Sequence, residues 1–302
     1  MADGRAAPAQ RYVPVPPVPG EARADFLALA GTQDGSGRAG AALSSLLERS
    51  DIDDVLAGAL ASHPLRSAAL TVVRHKVRRS VDADAAWPRE AAHWLGLAGA
   101  DWSTSAAFCT PLAWYARARR NSAVRHLADP PRASRRGGPG RSHDTVLRHL
   151  HLVGLRYDFR CRTMLDSLRR MPAGDAHSDP YTRSLKAFAL LARSDPSGLA
   201  AADRSLAEAG DNLQVCHALL HGMWLGHDLP EQARHILDLA ARPAFPRGDP
   251  IMLFRTATAL RKLGRRREAL AAIDDAVEGL DPCQPEVHAD LVRERTLITA
   301  WD

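Results

Sequence analysis

Apolar residues recur every three or four positions along most of this 302-residue chain. In the first half, helical patterns cover five segments: residues 39–49, 52–61, 63–80, 88–98 and 102–127. The third segment carries its apolar residues on one face, namely Leu65, Ala69, Val72, Val73 and Val77. This spacing predicts a helix with a buried stripe, from which Arg74 and Arg78 project elsewhere.

The fifth pattern contains two residues that bear on its start and its continuity. Asp101 precedes it, and an aspartate at that position accepts hydrogen bonds from the free N–H groups of the first helical turn. Pro111 lies inside the pattern, where its ring removes an N–H and clashes with the preceding turn. We therefore expect a helix that begins after Asp101 and is kinked or split at Pro111.

The second half contains a repeated pattern of small and large apolar residues. A small residue is followed four positions later by a large apolar one, and three positions after that by a small or apolar one. The four instances begin at Cys161, Ala202, Ala233 and Ala269. The spacing is 41, 31 and 36 residues, which is the length of two helices and their turns. A repeat of that length predicts stacked helix pairs.

The last of these units, residues 250–282, resembles a tetratricopeptide (TPR) repeat. Small or turn-forming residues occupy the positions where TPR helices approach each other or turn: Ala257, Gly264, Ala269, Ala276 and Pro282. Small side chains are needed there because two helices pack closely at the crossing. The resemblance implies an all-α fold in which residues 143–302 form a helical-hairpin solenoid. Residues 285–301 would form a capping helix at its end.

The resemblance weakens toward the N-terminus of the predicted solenoid. The unit before the last has Trp224, Ala233 and Ala240 in register, but Asp228 replaces the turn glycine. The two earlier units match less well, and their spacing departs from the usual 34 residues. The TPR resemblance therefore covers about half of the chain.

Composition divides the chain into four regions. Residues 1–22 form a Pro-rich tail that is extended or disordered, because proline fixes φ and lacks an N–H. Residues 23–128 form a basic helical region, and residues 129–142, with their Pro, Gly and Arg, form a linker. The solenoid then occupies residues 143–302. Aromatic residues make up only 5% of the chain, which favours helices over sheets.

Positive charge is concentrated in one part of the chain. The net charge is +5, and residues 66–141 alone carry 14 basic and five acidic side chains. A flexible Arg-rich segment beside a basic helix favours contact with phosphates, although a solvated linker has the same composition. The residues we expect at a nucleic-acid interface are Arg117, Arg119, Arg120, Arg135 and Arg136.

Sequence motifs give little support for catalysis, metal binding or a cofactor. Residues 35–40 read as a GxGxxG, but no strand precedes it directly and no second strand follows, so a loop before a helix is the better interpretation. His217 and His221 stand four residues apart, yet Ala218 occupies the place of the zincin glutamate. We expect no metal and no cofactor. An enzyme remains an alternative, because catalytic groups are assembled in space.

A binding role is the leading hypothesis. A TPR-like solenoid implies a concave face, made by the first helices of each pair, that binds a peptide or a partner helix. Candidate residues on that face are His217, His221, Arg255 and Arg261. The alternatives are a nucleic-acid-associated regulator that uses residues 66–141, and an enzyme with an unrecognised site. The sequence shows no secretory signal and no apolar run long enough for a membrane, so we expect a cytoplasmic protein.

Overall fold

The computed structural model describes residues 17–31, 37–84, 86–120, 141–171, 179–226, 230–246, 248–280 and 285–300. These residues form fifteen helices and no strand, which confirms the all-α prediction. The chain divides into two compact units, Met1–Ala100 and Asp101–Asp302. Within the described ranges, no helix is both long and apolar enough to cross a membrane.

The first unit contains five described helices. They are α1 (Gly20–Gly31), α2 (Gly37–Glu48), α3 (Ile52–Ala61), α4 (Arg66–Asp82) and α5 (Trp87–Leu97). Helix α4 lies at the centre of this unit and packs against each of the other four helices. Its predicted stripe is confirmed, because the five apolar side chains from Leu65 to Val77 are all buried. The Pro-rich tail falls largely outside the described residues, which begin at residue 17.

Several basic residues of the first unit take part in its own packing. Lys76 Nζ lies 2.9 Å from a carboxylate oxygen of Glu90, and Arg66 Nε donates a 3.0 Å hydrogen bond to the carbonyl of Leu60. Arg79 donates a longer bond, 3.4 Å, to the carbonyl of Leu47. Part of the positive charge of residues 66–141 therefore stabilises this helical bundle.

The second unit contains ten described helices. They are α6 (Trp102–Ala118), α7 (Arg141–Tyr157), α8 (Cys161–Arg170), α9 (Pro180–Leu191), α10 (Gly198–Ala209), α11 (Leu213–Leu225), α12 (Pro230–Ala240), α13 (Pro250–Lys262), α14 (Arg266–Glu278) and α15 (Pro285–Thr299). From α7 onward each helix packs on the next, and α7, α9, α11, α13 and α15 also pack successively on one another. We call these five the first helices, and α8, α10, α12 and α14 the second helices.

Helix α6 belongs to the second unit, where it packs on α7, α9 and α11. The sequence pattern predicted that this helix belongs to the N-terminal region, with a boundary at residues 129–142. In the structure the two compact units divide between Ala100 and Asp101. Residues 129–140 of the expected linker lie outside the described residues.

Helix α6 begins where the sequence predicted, but it is not split into two helices at Pro111. The Asp101 side chain accepts a 2.8 Å hydrogen bond from the N–H of Thr104, so the predicted N-cap is confirmed. The helix continues through Pro111 to Ala118. Buried side chains on both sides of the proline, including Phe108 and Leu112, hold the two halves in one packed element.

The small residues of the last pair lie in the core, as the pattern predicts. Ala257, Ala269 and Ala276 have no exposed surface, and they share a cluster with Ile273 and with Leu291 of α15. Gly264 has a φ of +79° in the turn between α13 and α14, a conformation that glycine adopts without strain. Asp228 and Pro282 of the predicted repeats, and Trp301 at the end of the predicted capping helix, lie outside the described residues.

Candidate functional site

A cavity of about 480 Å³ lies within the second unit. Its walls come from α6, α7, α11, α13 and α15 and from the turn after α7, and no second helix contributes a described lining residue. We call it the arginine pocket, and its principal lining residues are Trp114, Arg156, His217, His221, Trp224 and Arg255. The pocket thus lies on the side of the first helices.

Aromatic rings form much of the wall. Trp114 of α6 meets Tyr157 of α7 edge to face, with ring centroids 5.2 Å apart. Trp224 of α11 meets Phe254 of α13 in the same way at 5.6 Å. Phe159, in the turn after α7, contributes a fifth ring and is 53% exposed. Aromatic walls of this kind offer large apolar contact to a bound group.

Arg156 is the most deeply buried charged residue of the pocket, at 4% exposure. Its Nη2 donates a 2.8 Å hydrogen bond to the carbonyl of His217, and its Nε donates a 3.3 Å bond to Nδ1 of His221. Its Nη1 is buried and has no hydrogen-bond partner within the described structure. The guanidinium is therefore held in a fixed orientation with one donor unused.

The two histidines predicted from their spacing both line the pocket. Because Arg156 only donates, the Nδ1 of His221 must accept, which puts the proton of the neutral ring on Nε2. Burial, and then the positive charges of Arg156 and Arg255, hold the pKa of His221 well below its usual range. Burial and Arg156 also lower the pKa of His217 to about 4. Both imidazoles are neutral at pH 7 and add no positive charge to the pocket.

Arg255 reaches the same pocket from α13. Its Cζ lies 3.5 Å from the centroid of the Trp224 ring and 4.8 Å from that of Phe254. Its Nη1 is buried, and none of the described residues accepts a hydrogen bond from it. Burial lowers the pKa of the Arg255 guanidinium to about 9. Arg255 therefore resembles Arg156 in being oriented by packing while it retains an unsatisfied donor.

Two further charged residues line the pocket. Arg117 Nε lies 3.5 Å from a carboxylate oxygen of Asp158, and its Cζ lies 5.8 Å from the Phe159 ring centroid. Asp290 of α15 supplies the acidic side chain of the described lining. Because Arg117 is paired with Asp158, the described lining contains two further cations, Arg156 and Arg255, and one acidic residue, Asp290.

None of the remaining predicted site residues is part of the described lining of the pocket. Arg261 does not line the pocket, because its Nε forms a 2.6 Å ion pair with the buried carboxylate of Glu294. Arg119 stacks its Cζ 5.4 Å from the ring of Tyr115, and Arg120 has a φ of +54° just after α6. Arg135 and Arg136 lie outside the described residues. Nucleic-acid contact by the basic region stays a prediction.

Arg156, the residue central to the pocket, was not among the residues predicted from the sequence. Arg156 stands in the run Arg156-Tyr157-Asp158-Phe159, where two aromatic residues flank the end of a helix. An arginine among aromatic residues at a helix end is a weak signal for an exposed recognition surface. Only packing shows that Arg156 points at His217 and His221 of a distant helix.

A second constellation joins three residue types known from hydrolases. Ser105 Oγ lies 2.8 Å from His149 Nδ1, and His149 Nε2 lies 3.2 Å from Asp179 Oδ1. Ser105 and His149 have no exposed surface, and Asp179 is 5% exposed. None of the three lines the arginine pocket. A substrate therefore has no described route to the serine hydroxyl.

The network around Asp179 stabilises the fold. The carboxylate caps α9 by accepting hydrogen bonds from the N–H and the hydroxyl of Thr182, at 2.7 and 2.8 Å, and it forms an ion pair with Arg148 at 3.4 Å. Burial by itself would raise the pKa of this carboxyl, but the His149 and Thr182 hydrogen bonds outweigh burial and lower it. The network thus links α6, α7 and α9 through buried polar contacts.

The described cysteines and potential metal ligands give little support for thiol catalysis or metal binding. Cys109, Cys161 and Cys216 are buried and free. Burial raises the pKa of Cys109 to about 12 and that of Cys216 to about 11, so neither is a thiolate at pH 7. Among the described side chains, no group of three or more His, Cys, Asp or Glu is arranged to hold a metal ion.

Comparison with known proteins gives no relative for this chain. No family model matches it, and no curated protein or solved structure matches it significantly.

Proposed function

We propose that the second unit is a non-enzymatic binding module that holds a peptide or a partner helix on the face of its first helices. The helix pairs from α7 to α14 then form a TPR-like solenoid closed by α15. The observation that carries the proposal is the arginine pocket. All of its described walls come from first helices, from α6 or from the turn after α7. Solenoid repeat proteins bind their partners on a concave surface, and a pocket on the side of the first helices is consistent with that use.

The composition of the pocket supports recognition. Arginine, tryptophan and tyrosine dominate the energetics of protein interfaces, particularly in desolvated pockets at their centres. The arginine pocket places Arg156 and Arg255 beside the rings of Trp114, Tyr157 and Trp224. Such a pocket would anchor one or two side chains of a partner, while the surrounding helices contact the rest.

The arrangement of nucleophiles favours binding over catalysis. The Ser105 hydroxyl is closed to solvent, and the thiols of Cys109 and Cys216 are held protonated by burial. The pocket itself is lined by arginine, neutral histidine and aromatic residues, with Asp290 as its described acid. This set of groups is suited to holding a charged partner, which supports a binding role.

The test is a selection of peptides on the full-length protein from a random display library. We expect enriched peptides that share a motif and lose binding to V287W, because Val287 lines the pocket on α15 and tryptophan would fill it. The matched control is V292W on the same helix, since Val292 is 47% exposed and lies outside the pocket. Circular dichroism spectra and melting temperatures verify that both variants are folded.

A second variant that fills the pocket shows whether any loss of binding in V287W comes from filling the pocket or from a local packing defect at Val287. Ile251 lines the pocket from α13, so I251W should abolish binding as V287W does. If no peptide is enriched on the wild-type protein, or if the enriched peptides bind both filled variants as well as wild type, the proposal fails.

A further inference from the structure

We propose that the arginine pocket takes a carboxylate that is attached to an apolar or aromatic group. The inference rests on the proposed binding function and names the chemistry that the anchor recognises. Such a carboxylate can belong to a peptide side chain, to a peptide C-terminus or to a free organic acid.

Two unused donors at one cavity point to an anion. Arg156 Nη1 and Arg255 Nη1 are both buried, and both lack a hydrogen-bond partner within the described structure. No described carboxylate forms an ion pair with either guanidinium, and Asp290 and Glu294 act on Arg255 only through their charge. Buried cationic donors are costly when left unmatched, and a carboxylate accepts hydrogen bonds from two N–H donors at once.

Both guanidinium groups are oriented before a ligand arrives. Arg156 is fixed by its bonds to the His217 carbonyl and to His221, and Arg255 is fixed by its stacking on Trp224. Neither contact uses the free Nη1. Both arginines line the cavity, so a ligand meets guanidinium groups that are already oriented and loses little side-chain freedom on binding.

The charge balance favours an anion with a single charge. Arg117 is paired with Asp158, and the charge of Glu294 is offset by Arg261. His217 and His221 are neutral at pH 7, and Asp290 offsets part of the charge of the two open guanidiniums. About one uncompensated positive charge then remains. A carboxylate neutralises it, whereas a phosphate dianion would leave an excess of negative charge near Asp290.

The rest of the pocket accommodates the body that carries the carboxylate. The cavity of about 480 Å³ is within the range of pockets that enclose small ligands or a large side chain. The rings of Trp114, Tyr157 and Phe254 lie in its wall and offer apolar contact. An aromatic or branched aliphatic group next to the carboxylate would fill this space.

The experiment compares acids with their neutral amides on the full-length protein. The probes are N-acetyl-phenylalanine and N-acetyl-leucine, each as the free acid and as the carboxamide, followed by ligand-detected NMR at millimolar concentration. N-acetyl-Glu-Phe-amide tests a side-chain carboxylate in place of a terminal one. We expect an acid to bind about tenfold or more tightly than its amide, because the amide leaves the guanidinium donors unmatched.

Variants assign the effect to the two arginines. R255M and R156M should each reduce the preference for the acid, because each replaces a guanidinium that lines the pocket with an uncharged side chain. R267M is the matched control, because it removes an exposed guanidinium from α14, outside the pocket. If the acid and the amide give equal signals, including none from either, the inference is overturned. Stronger binding by N-acetyl-phosphotyrosine-amide than by any acid would overturn it as well.

The outcome separates the inference from the proposed function. Acids that bind through Arg255 while no peptide is enriched would support the carboxylate site and reject the peptide module. Peptides that bind equally well with or without a carboxylate would support the module and reject the carboxylate site.

Discussion

The guanidinium carbon of Arg255 lies 3.5 Å above the centre of the Trp224 indole ring. Stacking at this distance orients the cation and gives it favourable contact with the ring. It does not neutralise the charge, and no described residue accepts a hydrogen bond from Nη1. Arg255 is therefore a partly buried, incompletely matched cation in the arginine pocket. Retaining such a group is expected where recognition, rather than stability, determines the residue.

The first prediction compares two arginines of α13. R255M should leave the free energy of unfolding unchanged or raise it by about 1 kcal/mol, because it removes an unmatched buried cation and retains apolar volume. R261M should lower the free energy of unfolding by about 3 kcal/mol, because it leaves the buried Glu294 carboxylate without its 2.6 Å partner. Urea unfolding of the full-length variants measures both. A loss in R255M as large as that in R261M would show that Arg255 is structural.

The second prediction concerns the approach of α11 to α9. A Cβ at Gly222 would lie 2.8 Å from the Cα and the carbonyl oxygen of Phe188. Relieving this clash would require the backbone of α9 or α11 to shift, which costs stability. G222A should therefore destabilise the protein by about 1–3 kcal/mol. G40A is the control, because a Cβ there meets nothing within 4 Å and helix propensity favours alanine by about 1 kcal/mol. Equal melting temperatures for the two variants would contradict the close approach.

The third prediction compares two aspartates that cap helices. Asp249 accepts one hydrogen bond, from the N–H of Met252 at 2.8 Å, so D249A should cost about 1 kcal/mol. Asp179 caps α9 and also pairs with His149 and Arg148 in a buried site, so D179A should cost about 3 kcal/mol or more. Chemical denaturation provides the comparison. Similar losses in the two variants would mean that the network around Asp179 adds little to its cap.

The fourth prediction is a pH dependence of stability. His217 has a pKa of about 4 in the folded protein, compared with 6.5 ordinarily. Between these values the unfolded chain binds a proton that the folded protein does not, so stability falls as the pH drops from about 6.5 to about 4. The contribution is about 3 kcal/mol, because one pKa unit corresponds to about 1.4 kcal/mol. Urea midpoints at several pH values should show a shallower decline for H217Q than for wild type, and an unchanged decline would contradict the assignment.

The fifth prediction tests the helix crossing inferred from the small-residue pattern. Ala269 is fully buried between α13 and α14, so A269L should overpack the crossing and cost about 1–3 kcal/mol. Ala271 lies on the exposed side of the same helix, and A271L should stay within about 0.5 kcal/mol of wild type. Thermal unfolding of the two variants measures the difference. A tolerated leucine at Ala269 would argue against the predicted packing of the last pair.

The sequence by itself determined the features that depend on local order. The all-helical content follows from apolar spacing and from the scarcity of aromatic residues, and the buried face of α4 follows from its own periodicity. Asp101 was predictable as an N-cap because capping involves only the next few residues. The burial of Ala269 and Ala276 followed from their small size in a repeated register.

Tertiary structure decided which distant residues meet. His217, His221 and Arg255 were candidates from the sequence, but Arg156 was not, and Arg261 turned out to pair with Glu294. Helix α6 packs on the helices after it because its apolar residues are covered there. Periodicity specifies which face of a helix is buried, but the partner of that face depends on how all the helices pack together. The arginine pocket is formed by five helices, so no single segment encodes it.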